Sequence, residues 1–273
     1  NRGLCLQEGA RIGDGMGWIN SLLGKSPLSE RRIAKVVKLV TNPYAQPDVR
    51  MREMQRLIGD GSDAALRAVL KRFGVNANGS IADEDEKQWL EDAMVEQGQA
   101  ALTPLRAFIG SATQITYALR AYHRIAGDDE AVRVFLDVLD GYGPDDHRAA
   151  EAKLQLVWHL SDALQHPRVL PALLPFLQDH SDDVRWAVLD CIEKAQTQNL
   201  PGTDAAALAE AMAPLITDDA TAPRIQQRAA ALLADNEWPL PPASGQALTD
   251  LLGPDYFVDK KNYVRRRAKK KRD

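Results

Sequence analysis

Arg168-Val169-Leu170-Pro171-Ala172-Leu173-Leu174-Pro175-Phe176-Leu177-Gln178-Asp179-His180-Ser181-Asp182-Asp183-Val184-Arg185 is the stretch that decides how this chain is read. It predicts a short apolar helix, a tight acidic turn, and the opening of a second helix. In that second helix Val184, Val188, Cys191 and Ile192 fall at i, i+4, i+7 and i+8, one face of a 3.6-residue period. Ile225, Ala229, Leu232 and Leu233 repeat the spacing 41 residues later, again after an acidic turn. A stripe that returns at a fixed offset marks stacked helix pairs, because one pair of this length cannot bury its apolar face alone.

The run Leu-Pro-Ala-Leu-Leu-Pro-Phe-Leu, followed by Asp-His-Ser-Asp-Asp-Val-Arg, resembles a HEAT repeat. Pro47-Asp48-Val49-Arg50 is a second copy of the turn, and Ala222-Pro223-Arg224-Ile225 is a copy without the Asp. The resemblance implies an all-α superhelix, a HEAT-like solenoid of armadillo type. It implies that Pro171 or Pro175 bends the first helix of its pair, with Pro104 and Pro214 inside other first helices. It further implies that Asp48, Arg50, Asp183 and Arg185 link neighbouring repeats by hydrogen bonds.

Six pairs are expected: Ser29–Val40 with Asp48–Ile58, Asp63–Phe73 with Asp83–Gln97, Gln99–Ile109 with Thr113–Ala126, Asp129–Leu139 with Asp145–Leu164, Arg168–Leu177 with Asp182–Ala195, and Asp204–Ile216 with Pro223–Ala234. Ser29, Ser62, Asp83, Ser181 and Thr203 are expected N-caps. Gly59, Gly74, Gly98, Gly110 and Gly127 are expected at helix ends. Glu53 and Arg56 break the stripe of the first copy, which fits an outer repeat turned to water. The expected organisation is an N-terminal extension or capping segment at 1–28, repeats at 29–238, and a Pro-containing linker with a flexible basic tail at 239–273.

The composition agrees with a helical reading. Of 273 residues 45% are hydrophobic and only 6% aromatic, with Ala and Leu dominant, which favours helices over strands. The two cysteines, Cys5 and Cys191, are far apart, so neither a disulfide framework nor a cysteine zinc site is expected. No apolar run is long enough to span a bilayer, and Gln7 and Glu8 interrupt the opening Leu4-Cys5-Leu6 run before it makes a secretory signal. A cytoplasmic, reducing location is therefore expected. Met16-Gly17 opens a helix-like run through Trp18, Ile19, Leu22 and Leu23, a candidate cap for the first repeat. Met16 is also a candidate translation start, and the run matches a myristoylation pattern.

The net charge of −4 conceals a division. From Tyr256 onward stand Lys260, Lys261, Arg265, Arg266, Arg267, Lys269, Lys270, Lys271 and Arg272 against Asp259 and Asp273, a net +7, while residues 1–255 carry −11. Such a tail favours polyanions (RNA, DNA or an anionic membrane), and Tyr256, Phe257 and Tyr263 could stack on unpaired bases. The acidic body argues against nucleic acid along the main groove, and so against the HEAT-like DNA glycosylases.

No catalytic or metal constellation emerges from His123, His147, His159, His166 and His180, and no cofactor is expected. Asn76, Asn78, Gly79, Ile81 and Asp85 partly match a calcium loop, but Gly74 stands at the first ligand position, so a polar turn is the better reading. The second helices carry the large aromatics Trp89, Tyr117, Trp158 and Trp186, candidate contact residues on a concave face. Tyr122 and Trp158 lie near the stripe, where filling gaps between repeats is the expected role; Trp186 lies off it. The reading is a non-catalytic scaffold that binds an unidentified protein or peptide. The alternatives are a polyanion adaptor acting through the tail and, less favoured, an enzyme similar to phycobilin lyases.

Overall fold

The computed structural model describes residues 27–242, 252 and 254–268. The described chain is all-helical apart from one short hairpin. Chain contacts divide it into two compact units, one up to Phe108 and one from Ile109.

In the first unit the helices are α1 (Glu30–Val40), α2 (Pro47–Asp60), α3 (Asp63–Leu70), α4 (Ser80–Glu96) and most of α5 (Gln99–Ile109). α2 packs against α1, α3 and α4. Ser62 caps α3 by accepting from the Ala65 amide at 3.3 Å. Gly61, not Gly59, ends α2, at φ 68°, a left-handed conformation that costs glycine little. Asp83 lies inside the first turn of α4 rather than at its cap, which is Gly79.

In the second unit stand α6 (Thr116–Ala126), α7 (Asp128–Tyr142), α8 (Ala150–Leu160), α9 (Val169–Leu173), α10 (Asp182–Thr197), α11 (Ala205–Thr217) and α12 (Pro223–Asp235). The second helices form one row, in which α6 contacts α8, α8 contacts α10, and α10 contacts α12. The first helices form another: α7 meets α9, and the 3-10 segment Leu174–Gln178 that continues α9 meets α11. Pro175 explains why α9 gives way to that segment, since it has no N–H to donate to the carbonyl four residues back.

The stripe read from the sequence closes the space between the rows. Val184, Val188, Cys191 and Ile192 are buried in α10, as are Ile225, Ala229, Leu232 and Leu233 in α12. Each buried Val, Leu or Ile contributes about 1.5–3 kcal/mol. Asp182 and Asp183 sit in the first turn of α10, where carboxylates oppose the helix dipole favourably. Asp204, rather than Thr203, caps α11 by accepting from the Ala207 amide.

The C-terminal region departs from the expected flexible tail. Tyr256–Val258 (β1) and Val264–Arg266 (β2) pair as an antiparallel hairpin, and β2 contacts α12. Leu240 donates its amide to the Asn262 carbonyl, and Trp238, Leu240, Leu252, Tyr256 and Val264 are buried. The apolar content of this region gives it a small core, which the dense charge masks in the sequence. The helix-like run at 16–23 and Lys269, Lys270, Lys271 and Arg272 lie outside the described residues.

Candidate functional site

Five of the turns that enter second helices are fastened by one recurrent contact, which α6, with Leu119 at that place, lacks. The fourth residue of the helix reaches back to the backbone of the turn before it. Arg50 of α2 donates to the Ala45 carbonyl, and Arg185 of α10 donates to that of Asp179. Lys153 of α8 donates to the carbonyls of Gly143 and Pro144, each at 3.1 Å. Gln226 of α12 donates to the Asp218 carbonyl at 3.0 Å. In α4 the fourth residue is Asp83, and the sense reverses: it accepts from the Ala77 amide at 2.8 Å.

Links between neighbouring pairs start from the same places. Arg50 pairs with Glu86 of α4 at 2.9 Å, and Lys153 with Asp179 at 2.5 Å. Asp183 accepts from Arg224 of α12 at 2.9 Å. Arg185, in contrast, is directed to its own turn and to Asp182. Asp48 is exposed in the first turn of α2. Glu53 is buried rather than turned to water, and it meets Arg52 and Arg56.

With the turns fixed, α8, α10 and α12 present a shared surface. On it lies a cleft of about 450 Å³ lined by Leu154, Trp158, Asp183, Trp186, Ala187 and Arg224. Trp158 is 56% exposed and Trp186 37%, so two of the largest apolar side chains stand uncovered beside one another. Trp158 therefore does not fill a gap between repeats; the buried Tyr122 does, against Phe135. Leu154 precedes Trp158 by one helical turn and adds an apolar side chain to the lining. Arg228 lies over Trp186, 5.6 Å from the ring centroid, and pairs with Asp190 at 2.9 Å and Glu193 at 2.5 Å.

Of the aromatics singled out in the sequence, Trp158 and Trp186 come together in this cleft. Tyr117 is half-buried on α6 with Arg120 at 4.7 Å from its ring centroid, and Trp89 is half-buried in the first unit. The basic residues of the hairpin turn inward on acids. Arg265 pairs with Glu237 at 2.6 Å and Asp259 at 3.1 Å, and Arg266 with Asp235 at 2.6 Å. Arg267 donates to the Tyr256 carbonyl, while Lys260 and Lys261 are exposed in the turn.

Elsewhere in the second unit His123, His159 and Cys191 are tied into packing. His123 Nδ1 is 3.0 Å from His159 Nε2, and its Nε2 is 2.7 Å from Asp128. Burial, with His123 alongside, pushes His159 down to about 4, so it is neutral at physiological pH. Burial pushes the Cys191 thiol up to about 12, too high for a nucleophile. In the first unit, Asn76 accepts from the Lys87 ammonium at 3.0 Å. That cation sits on an oxygen which a calcium loop would need, and it supports the polar-turn reading.

No protein-family model matches the chain, and no similar curated protein or solved structure is found. Among the described residues no helix is long and apolar enough to cross a membrane.

Proposed function

We propose that this protein is a cytoplasmic, non-catalytic scaffold whose second unit stacks HEAT-like helix pairs and holds a peptide segment of a protein partner in the Trp158–Trp186 cleft. One observation carries the reading. Two indole rings on adjacent second helices are left uncovered around a 450 Å³ recess. Covering roughly 100 Å² of such surface contributes about 2.5 kcal/mol, and rigid aromatics give that area with little rotamer entropy to lose. The cleft is wide enough for one or two side chains, and its rim of paired charges offers donors and acceptors around an apolar floor. That is the usual layout of a binding hot spot.

Three side chains of catalytic type are engaged away from the cleft, which fits a binding role. Cys191 is buried, His159 is neutral and packed on Phe135, and His123 is held by Asp128. The test is affinity purification from the native cell with wild type, Trp158→Ala and Trp186→Ala, followed by titration of any recovered partner with purified protein. Loss of the same partner in both variants, with their melting temperatures unchanged, supports the reading. Equal recovery and equal affinity would remove the cleft from the account.

A further inference from the structure

The charge around the cleft selects among peptides. The helices from Ile109 to Pro242 hold ten basic and twenty acidic residues, a net −10, and with the basic C-terminal region the sequence from Ile109 on is still net −5, whereas residues 27–108 hold twelve of each. A field of this sign raises the local concentration of cations and repels acidic segments before contact is made.

At the rim the bias continues at short range. Arg224, which lines the cleft, already has Asp182 and Asp183, and on the neighbouring turns Arg228 has Asp190 and Glu193 and Lys194 has Asp162. An incoming acidic side chain would have to displace one of these acids. The carboxylates are less committed. Asp162 is 85% exposed and Asp183 68%, with Asp190 and Glu193 near one half, so each can accept a further donor.

The molecule shows how it accommodates a guanidinium in such a place. Arg228 lies over the Trp186 ring and donates to two carboxylates beside it. Arg265 does the same with Tyr263, Glu237 and Asp259. Trp158 has the open ring and, in Asp162 four residues on, an exposed carboxylate, and among the described residues no guanidinium lies over it.

Resting on the peptide-binding reading above, we infer that the cleft's partner is an arginine-bearing basic segment. An arginine of that segment stacks on Trp158 and donates to the rim carboxylates, and a neighbouring apolar side chain enters between the indoles. Arginine is favoured over lysine because its planar group stacks and forks at once.

A random-peptide phage library, panned on the wild-type protein and depleted on the Trp158→Ala/Trp186→Ala double variant, tests this directly. Circular dichroism melting confirms that the double variant is folded. The expected result is cleft-dependent binders enriched in Arg next to an apolar residue, whose affinity drops about tenfold when that Arg becomes Gln. Cleft-dependent binders that are neutral or acidic would overturn the arginine assignment while leaving the cleft a peptide site. If a folded double variant binds every selected peptide as well as wild type does, the peptide-site reading fails with it.

Discussion

The Lys153 ammonium lies 2.5 Å from Oδ2 of Asp179, and both side chains are completely buried. Lys153 also holds the turn that opens its own helix, and Asp179 shapes the next turn by accepting from the Ser181 amide at 2.9 Å. One ion pair thus fixes two successive turns. Lys153→Met leaves a buried carboxylate without its counter-charge, so the second unit should lose about 3–5 kcal/mol. The double variant Lys153→Met/Asp179→Leu should recover most of it. Urea unfolding of the three proteins measures both differences, and a double variant no better than the single would break the argument.

In the first unit Asp83 sits among Arg72 at 2.6 Å, Lys87 at 2.7 Å and the Ala77 amide. Burial alone would raise its pKa, but hydrogen bonds from Lys87, Ala77 and Arg72 outweigh it and hold the carboxyl below the ordinary value. A group with a depressed folded pKa stabilises above its unfolded value of about 3.9, and loses that contribution as pH falls through the folded one. Asp83→Asn should therefore melt well below wild type at pH 7, with the gap narrowing below about pH 4. A gap independent of pH would show that the charge of Asp83 contributes nothing.

His159 gives the second unit an acid sensitivity at milder pH. Its folded pKa of about 4 lies below the unfolded value near 6.5, so the unfolded chain binds the proton first. Stability is fully present above about pH 6.5 and declines between there and about pH 4. His159→Phe, which keeps a ring against Phe135, should flatten the melting temperature over that window. Histidine NMR that finds His159 titrating near 6.5 in the folded protein would contradict this.

Val264 is fully buried where β2 meets α12, whereas the Arg266–Asp235 pair is more than half exposed. Val264→Ala should weaken hairpin docking by about 2 kcal/mol, and Arg266→Ala by less than about 1 kcal/mol. Trypsin cleavage at Lys260 and Lys261, timed by mass spectrometry, reports the docking. The reverse order of sensitivity would make the ion pair the main fastening.

The helices were legible because the stripe Val184, Val188, Cys191, Ile192 and its copy at Ile225 are local patterns with a helical period. The helices start and end within a few residues of the expected places. Trp186 was legible as exposed because it stands off that stripe. Of the buried charges, Arg50 was expected to link neighbouring pairs, but its partner was not legible, nor was the Lys153–Asp179 pair. Arg50 and Glu86 lie 36 residues apart and Lys153 and Asp179 26, and a lone charge in a helix reads as solvated until its partner is known. The fourth-residue contact escaped for a related reason: Arg, Lys, Gln and Asp all make it, so position recurs while residue type does not. Trp158, a candidate contact residue for which gap-filling was nonetheless the expected role, is exposed because it follows the buried Val157 directly, a step of about 100° around the helix that carries it off the apolar face.

The short hairpin has a consequence for assembly. In the row α6, α8, α10, α12 each helix leans on the next, and beyond its own pair and α10 the last one meets β2. The hairpin, through β2, therefore covers part of α12 on which another molecule could otherwise pack. A second copy that docked head-to-tail on this part of α12 would first have to displace β2.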